Sequence, residues 1–232
     1  MGGGKPRGAG FPLKAAVDRL ARVYPQKRPL RDPLAILVWE NIGYLIDDER
    51  RDALFEELRE RIGLTAPRLA NPSMPALTDI ARRGGMHPQT RAERLIEIGK
   101  LAISECDGDV LRTLKSLPLA KARALLKKFP SVGNPGADRI LLFCDVAASP
   151  AVESNGLRAL VRMGYCEEEK NYARSYRRAV AALSAASSDA AWLKRAYATL
   201  RAHGKALCKR SAPICEPCPL DQVCAHRIVS SL

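Results

Sequence analysis

Four cysteines near the end of the chain place the strongest constraint on its fold. Cys208, Cys215, Cys218 and Cys224 follow the spacing C-x6-C-x2-C-x5-C in a sequence of 232 residues. Four thiolates so close in sequence converge on one centre only if the intervening loop wraps around it. Three prolines in this segment fix irregular turns and reduce the entropy lost on closing them. We therefore predict a metal site with these four cysteines as ligands.

The spacing leaves the identity of the metal open, because four cysteines suit either a zinc ion or a [4Fe–4S] cluster. Zinc ribbons usually use two C-x2-C pairs, and this segment has one. The first eleven residues, MGGGKPRGAGF, lack the apolar stretch of a secretory signal and predict a basic tail instead. Without such a signal, the clustering of the cysteines favours metal over disulfides.

The charge of the chain indicates a polyanionic partner. Its 38 lysines and arginines exceed its 25 acidic residues by +13, which favours nucleic acid over an acidic membrane surface. No run of eighteen apolar residues occurs, so we expect no membrane-spanning helix. The basic residues are spread along the chain, which predicts a folded basic face; among them are Arg82, Arg83, Arg91, Arg94, Lys121, Lys127, Lys128, Arg177 and Arg178.

Helical periodicity dominates the sequence and strand alternation is nearly absent, so we predict an all-α fold. Asp32 and Pro33 have the residue types of a helix cap and a first helical position. The segment LAILVWENIGYLI that follows is apolar nearly all round and predicts a buried helix. Thr90 to Cys106 reads as a long amphipathic helix. Its predicted core stripe is Leu95, Ile96, Ile98, Leu101 and Ile103.

Residues 129–143, FPSVGNPGADRILLF, predict a tight hairpin between two helices. Such a hairpin presents backbone N–H groups at a helix N-terminus, where they and the helix dipole hold a DNA phosphate. We expect Gly133 to supply the backbone freedom and to let the phosphate approach. The predicted DNA contacts are Ser131, Val132, Gly133, Asn134, Gly136, Lys127 and Lys128.

The hairpin and the cysteine loop resemble those of the endonuclease III family of helix-hairpin-helix (HhH-GPD) DNA glycosylases. All four cysteines have the spacing of that family's iron–sulfur loop, and five hairpin residues match its motif: Phe129, Pro130, Val132, Gly133 and Ala137. Ser131 replaces the family's first hairpin glycine. The segment GGMHPQTRAERL resembles a further family segment, with Arg91 in place of a lysine. The match has no gaps over residues 129–158 and is looser over residues 32–224.

This resemblance implies a two-domain HhH-GPD fold. Residues 34–145 would form a six-helix barrel domain with the hairpin, and residues 1–33 and 146–232 a helical [4Fe–4S] cluster domain. It also implies a [4Fe–4S] cofactor on Cys208, Cys215, Cys218 and Cys224, with double-stranded DNA as partner. Arg158 matches a family arginine and is expected to contact DNA. We expect a monomer that is cytoplasmic and nucleoid-associated.

This chain departs from the family at both of the positions that carry the family's catalytic residues. Pro135 stands where bifunctional members have a lysine that forms a Schiff base with the sugar. Glu153 replaces the family's aspartate and is one methylene longer, and misplacing a catalytic group by about 1 Å can cost roughly a hundredfold in rate. Glu153 is therefore either the catalytic carboxylate or a helix N-terminal acid stabilised by the dipole.

The helix segment WENIGYL also departs from the family. Asn41 stands in place of a glutamine that fills the space left by a flipped base, and we expect Trp39 and Asn41 to line the pocket. Glu40 is a charge on an otherwise apolar helix, which is costly unless it is paired or lies in a cleft. It is either a second catalytic carboxylate or an ion-paired residue.

Three functions remain open from the sequence. The first is a monofunctional DNA N-glycosylase that flips a damaged or mismatched base out of duplex DNA, with water rather than lysine attacking the sugar. The second is a non-catalytic family member that binds damaged or distorted DNA. The third is an AP lyase in which Lys127 or Lys128 substitutes for the missing lysine. The sequence does not name the lesion.

Overall fold

The structure is a computed structural model that describes residues 10–25 and 28–230, so the first nine residues of the predicted basic tail lie outside the described residues. The predicted all-α fold is confirmed. Over the described ranges the chain forms helices and no β-strand, with one isolated bridge between Tyr44 and Gly85. None of the described helices is both long enough and apolar enough to cross a bilayer.

The helices are labelled in chain order. They are α1 (Leu13–Ala21), α2 (Pro33–Asn41), α3 (Asp48–Arg61), α4 (Ala66–Ala70), α5 (Met74–Arg83), α6 (Pro88–Cys106), α7 (Val110–Ser116), α8 (Leu119–Leu126), α9 (Asn134–Phe143), α10 (Ser154–Arg162), α11 (Tyr172–Ala186), α12 (Ala190–Ala206) and α13 (Ala225–Ser230). A short 3-10 helix over Asp221–Val223 precedes α13.

The chain divides into two compact units. The hairpin unit, Pro29–Val146, contains α2 to α9, and within it α2, α4 and α5 all pack on the long helix α6. The cysteine-loop unit combines the residues before Pro29 with those after Val146. In this unit α1 and α10 both pack on α12, and α11 packs on α10.

Helix α2 begins as the sequence predicts but ends earlier. The Asp32 carboxylate accepts a hydrogen bond from the Ala35 amide (2.7 Å), and Pro33 occupies the first turn. The predicted continuation to Ile46 is wrong, because the helix ends at Asn41. The Tyr44 amide instead donates to the Gly84 carbonyl (2.9 Å), and Leu45 has a left-handed φ of 57°. Pairing with the loop before α6 thus takes the backbone out of the helix.

Arg91 at the start of α6 does not belong to the predicted basic face. Its side chain is 2% exposed, and burial lowers the pKa of its guanidinium. The guanidinium donates to the carbonyls of Ile42 (2.8 Å), Ala81 (2.6 Å), Met86 (2.8 Å) and Gly85 (2.9 Å). Arg91 therefore joins the loop after α2 to the loop before α6, and backbone carbonyls take the place of a carboxylate partner.

The predicted core stripe of α6 is partly wrong. Leu95 and Ile98 are buried as expected, but Ile103 is 43% exposed. The buried face instead contains small residues, and at Gly99 an added methyl group would collide with the backbone of Ala70 in α4. This close approach lets α4, a helix the sequence did not predict, pack directly on α6.

Candidate functional site

The hairpin between α8 and α9 has the predicted form of two helices joined by a tight turn. The Val132 amide donates to the Phe129 carbonyl (3.2 Å), and the side chain of Phe129 is buried beneath the turn. Gly133 is the N-cap of α9, and the Ala137 amide makes the first intrahelical bond to its carbonyl (3.0 Å). The first-turn amides of Asn134 and Gly136 precede that bond, so the helix itself offers them no acceptor.

The backbone freedom expected of Gly133 is needed at another position. Gly133 has an ordinary φ of −93°, whereas Ser131 has a left-handed φ of 64°. A methyl group on Gly133 would meet nothing nearer than the Pro135 side chain at 3.6 Å, and one on Gly136 would touch Val132 at 3.4 Å. The two glycines therefore keep the surface of the hairpin open, and the expectation that Gly133 bends the backbone is wrong.

The remaining hairpin residues expected to contact DNA are accessible. Ser131, Asn134 and Lys127 are exposed, and Val132 is half-buried. Lys128 is exposed but forms an ion pair with Glu105, with Nζ 2.7 Å from Oε2. An exposed pair of this kind holds weakly, so it leaves Lys128 able to exchange its partner for a phosphate.

Ion pairs surround the charge of Glu40 on α2. Its carboxylate pairs with Arg139 of α9 and lies 3.9 Å from Arg51 of α3. The guanidinium carbons of Arg51 and Arg139 lie 4.6 and 5.1 Å from the ring centroid of Trp39, within cation–π range. Trp39 also donates its indole N–H to Asp52 (2.8 Å). Of the two alternatives for Glu40, the structure therefore shows an ion-paired residue.

Asn41 is a buried connection between α2 and the hairpin. It is 3% exposed, and its amide nitrogen donates to the carbonyls of Leu37 (2.9 Å) and Pro130 (3.3 Å). Its amide oxygen has no partner within the described part of the chain. Asn41 thus fixes the turn of the hairpin to α2 through the Pro130 carbonyl. Its place in a base-binding pocket remains a prediction.

Glu153 caps α10. Its Oε1 accepts from the Gly156 amide (2.7 Å) and its Oε2 from the Asn155 side chain (2.8 Å). Burial raises the pKa of the Tyr172 phenol at the start of α11, and the negative charge of Glu153 raises it further. Both interpretations of Glu153 remain compatible with this geometry, since a capping carboxylate can also stabilise a nearby positive charge.

Arg158 holds parts of the cysteine-loop unit together. Its guanidinium donates to the carbonyls of Cys208 (3.0 Å) and Gly204 (2.8 Å) and to the side chain of Asn155 (2.8 Å). These bonds connect α10 to the end of α12 and to the first cysteine of the loop. The expected contact of Arg158 with DNA remains a prediction, with most of its donors already used.

The four cysteines line one small cavity of about 30 Å³. None of the four is in a disulfide. Burial raises the pKa of Cys218 and of Cys224, and the other cysteines of the set raise both further, which reflects their proximity. In residues 10–25 and 28–230, no three or more histidine, cysteine or acidic side chains are arranged to hold a single metal ion.

Polar groups contact the sulfurs of Cys208 and Cys218. Arg162 donates to Cys208 (3.6 Å) and, through its other N–H groups, to the carbonyls of Lys209 (2.5 Å) and Arg210 (2.7 Å). The Leu220 amide donates to Cys218 (3.4 Å). The side chain of His203 on α12 lies 4.0 Å from the same sulfur. Sequence reasoning missed Arg162 and His203, because neither stands in the cysteine segment itself.

This chain has a helix-hairpin-helix in one unit and a four-cysteine loop in the other. This combination resembles endonuclease III-like proteins. The chain is 24% identical over 212 residues to endonuclease III of Thermotoga maritima, covering 90% of this chain and 92% of that one. No protein-family model matches the chain. The resemblance inferred from the two motifs is confirmed.

Solved structures show the same fold. The chain is similar to an endonuclease III trapped in a covalent intermediate with DNA, with a TM-score of 0.73, 19% identity and coverage of 95% of this chain and 97% of that one. It is also similar to a thermostable thymine-DNA glycosylase, with a TM-score of 0.74, 16% identity and coverage of 94% and 95%.

Proposed function

We propose that this protein is a DNA-binding base-excision-repair protein that holds duplex DNA through its hairpin. The observation that carries the proposal is the hairpin surface, where Gly133 and Gly136 place no side chain beside the first-turn amides of α9. A phosphate can approach such amides closely and meets the positive end of the helix dipole. The net charge of +13 strengthens the attraction to DNA without selecting a sequence.

For the chemistry, we propose a monofunctional N-glycosylase that acts on a damaged or mismatched base. Pro135 has no amine with which to attack the sugar, so water would complete the cleavage of the N-glycosidic bond. The Glu153 carboxylate would stabilise the positive charge that develops on the deoxyribose. The similarity to an endonuclease III trapped covalently on DNA concerns a protein of the same fold, and Pro135 is the position at which the two chemistries would differ.

We further propose that Cys208, Cys215, Cys218 and Cys224 hold a [4Fe–4S] cluster. Support comes from the donor set and from the cavity the four side chains share. Four irons separate their thiolate ligands more widely than a single ion does, so the absence of a single-ion arrangement in the described residues is compatible with a cluster. The group would serve as a cross-link between α12 and the residues that follow it, while Arg162 and Leu220 stabilise negative charge on the sulfurs.

A second candidate, a protein that binds distorted DNA without cleaving it, is favoured by the hydrogen bonds of Glu153. Both of its carboxylate oxygens already accept bonds as the cap of α10. If the Glu153 carboxylate serves only as the cap of α10, it stabilises the fold of the unit and takes no part in catalysis. The two candidates differ in whether any base is released.

The test is a base-release and incision assay on duplexes that contain uracil, an oxidised pyrimidine, an alkylated purine or an abasic site. We expect release of a base from one lesion class, leaving an abasic site that breaks only after alkali. Glu153→Gln should lower the rate by about a hundredfold or more, because charge is lost while shape is kept. Glu40→Gln tests the other carboxylate and should leave the rate near that of the wild type.

Borohydride supplies the second arm of the assay. No covalent trapping is expected, because the trap requires an imine formed by an amine. Efficient trapping would identify an AP lyase instead, and Lys127 and Lys128 would be the first positions to replace. Tight binding to distorted duplex with no base released from any substrate would decide for the non-catalytic candidate.

A further inference from the structure

A buried histidine connects the cysteine loop to the segment that follows α1. His203 of α12 is 3% exposed. Its Nδ1 lies 3.1 Å from the hydroxyl of Tyr24, and its Nε2 lies 4.0 Å from the sulfur of Cys218. One ring thus contacts a phenol on one side and a predicted metal ligand on the other.

The hydrogen-bonding partners of His203 determine which ring nitrogen carries its proton. In its neutral form an imidazole has one donor and one acceptor nitrogen. When the Tyr24 hydroxyl donates to Nδ1, the imidazole proton lies on Nε2 and faces Cys218. The phenol can therefore set the tautomer in which His203 acts as a donor to sulfur.

We propose that His203 is a positioning residue that donates its Nε2–H to the Cys218 thiolate when that thiolate is a metal ligand, with Tyr24 fixing the tautomer. The proposal rests on the metal site proposed above. At 4.0 Å the contact is at the outer limit for a neutral sulfur. A full negative charge on the acceptor shortens and strengthens such a bond.

Cys218 would then accept two hydrogen bonds, from His203 and from the Leu220 amide, which lies 3.4 Å from the sulfur. Two donors on one thiolate fix the direction of its lone pairs and lower its electron density. Partners of this kind orient metal ligands, and their loss typically weakens metal binding about 10- to 100-fold. In iron–sulfur sites, hydrogen bonds to sulfur also influence the reduction potential.

The experiment uses the full-length protein as purified, with iron, acid-labile sulfide and zinc measured per chain. His203→Leu removes the donor, His203→Gln retains an N–H donor, and Tyr24→Phe removes only the hydroxyl that sets the tautomer. The matched control is Tyr165→Phe. It deletes a partly buried hydroxyl bond to the Phe11 carbonyl (2.9 Å) in the same unit, without a histidine between it and a cysteine.

We expect His203→Leu to lose its metal to a chelator at least about tenfold faster than the wild type. Its reduction potential should fall, because a hydrogen bond to sulfur stabilises the more negative, reduced site, and its visible circular dichroism should change. Tyr24→Phe should shift these readouts in the same direction by less, and His203→Gln should restore them in part. Tyr165→Phe should match the wild type.

The outcomes separate the inference from the proposed site. If the wild-type protein contains no metal, the proposed metal site and the inference are both overturned. If it contains zinc, the [4Fe–4S] assignment is overturned, and the rate at which a chelator removes the zinc tests the role of His203. If the wild type holds metal and neither Tyr24→Phe nor His203→Leu changes the rate of metal loss or the spectrum, the inference alone is overturned. If His203→Leu does not fold, the comparison of Tyr24→Phe with Tyr165→Phe decides, and a Tyr24→Phe protein that matches the wild type overturns the inference.

Discussion

Ser131 carries a conformational cost imposed by its place in the hairpin. Its φ of 64° lies in the left-handed region, which residues other than glycine adopt at a cost of about 1 kcal/mol. The resemblance inferred from the sequence places Ser131 where the endonuclease III family has a glycine, the residue that adopts this region without a penalty. The hairpin is therefore strained at one exposed position.

We expect Ser131→Gly to raise the free energy of unfolding by roughly 0.5–1 kcal/mol, because glycine adopts the left-handed region without a steric penalty. Denaturant titration of the two proteins measures the difference. Ser131→Ala keeps the strain and serves as the control, which should not be stabilised. Equal stability of Ser131→Gly and wild type would contradict the strain.

Arg91 should be the least replaceable basic residue of the hairpin unit. Replacing it with methionine keeps much of the volume but removes the donor of the Ile42, Gly85 and Met86 carbonyls. The Ala81 carbonyl loses one of its donors and keeps the Gly84 amide. Buried polar groups left unsatisfied cost about 1–3 kcal/mol each, so we expect a loss of at least about 3 kcal/mol in denaturant titration. Arg82→Met, an exposed position on α5, is the control. A loss below about 1 kcal/mol would mean that water replaces the guanidinium.

At the scale of elements, the hairpin is held from two directions. An ion pair between Arg123 of α8 and the buried Asp138 of α9 (2.6 Å) fixes the two helices to each other. Asn41 of α2 fixes the turn through the Pro130 carbonyl. A turn braced in this way presents its amides in one arrangement, which would reduce the conformational entropy lost on the proposed binding of DNA.

Replacing Gly133 tests the hairpin as the DNA-binding element. Gly133→Asp places a negative charge where the phosphate would approach, and we expect duplex affinity to fall by at least about tenfold. The slope of log affinity against log salt should also become shallower by about 0.9 for each phosphate that the variant no longer neutralises. Gly133→Ala adds an uncharged methyl group that meets no collision in the folded protein, so it should lose less affinity than Gly133→Asp. Unchanged affinity in Gly133→Asp would remove the hairpin from the interface.

Helices α3 and α5 are joined by four alternating charges. Glu57 and Asp79 both pair with Arg61 (2.5 and 2.6 Å) and with Arg83 (2.6 and 3.1 Å). Hydrogen bonds from Arg83 and Arg61 lower the pKa of Glu57, and those from Arg61 lower the pKa of Asp79. Because the folded state holds these carboxylates ionised, their stabilisation is present above their unfolded pKa values and is lost as the pH falls through the folded ones.

We therefore expect stability to fall more steeply on acidification below about pH 4.5 in the wild type than in Glu57→Gln. Denaturant midpoints measured from pH 6 down to about pH 3 give the two slopes. Glu97→Gln, on an exposed position of α6, is the matched control and should follow the wild type. Parallel slopes for Glu57→Gln and the wild type would show that the four charges are too well solvated to contribute.

At the scale of the whole molecule, each unit has its own helical core, and the two depend on different interactions. The hairpin unit is built around α6 and contains none of the four clustered cysteines. The cysteine-loop unit has a core of α1, α10 and α12, with the loop attached at its end. A ligand that binds only the folded loop stabilises the unit that contains it.

Removing the proposed metal should consequently loosen one unit more than the other. After treatment with a chelator, we expect amide hydrogen exchange to accelerate first in residues 208–228 and then in α12, because metal-binding free energy is also folding free energy. Protection of α6 should change least. The same chelator applied to Cys215→Ser gives the control, since its loop should already exchange rapidly. Equal acceleration in both units would contradict their independence.

The sequence alone determined the features that depend on local residue order. Helical periodicity predicted the all-α fold, Asp32 and Pro33 marked a helix start, and the cysteine spacing predicted one centre. The residues 129–143 indicated the hairpin, because a tight turn between two helices is encoded within fifteen neighbouring positions. The predicted helices and the hairpin are confirmed, since hydrogen bonding and periodicity act over a few residues. The metal centre on the cysteines stays a prediction.

Only the tertiary structure decided the roles that depend on distant partners. Arg91 is a buried connector because four carbonyls from α5 and two loops surround it. Glu40 is ion-paired because α3 and α9 bring arginines to it. His203 reaches Cys218 and Tyr24, and the latter is 179 residues away. Burial and charge compensation are properties of packing between elements far apart in the chain, and no local pattern contains them.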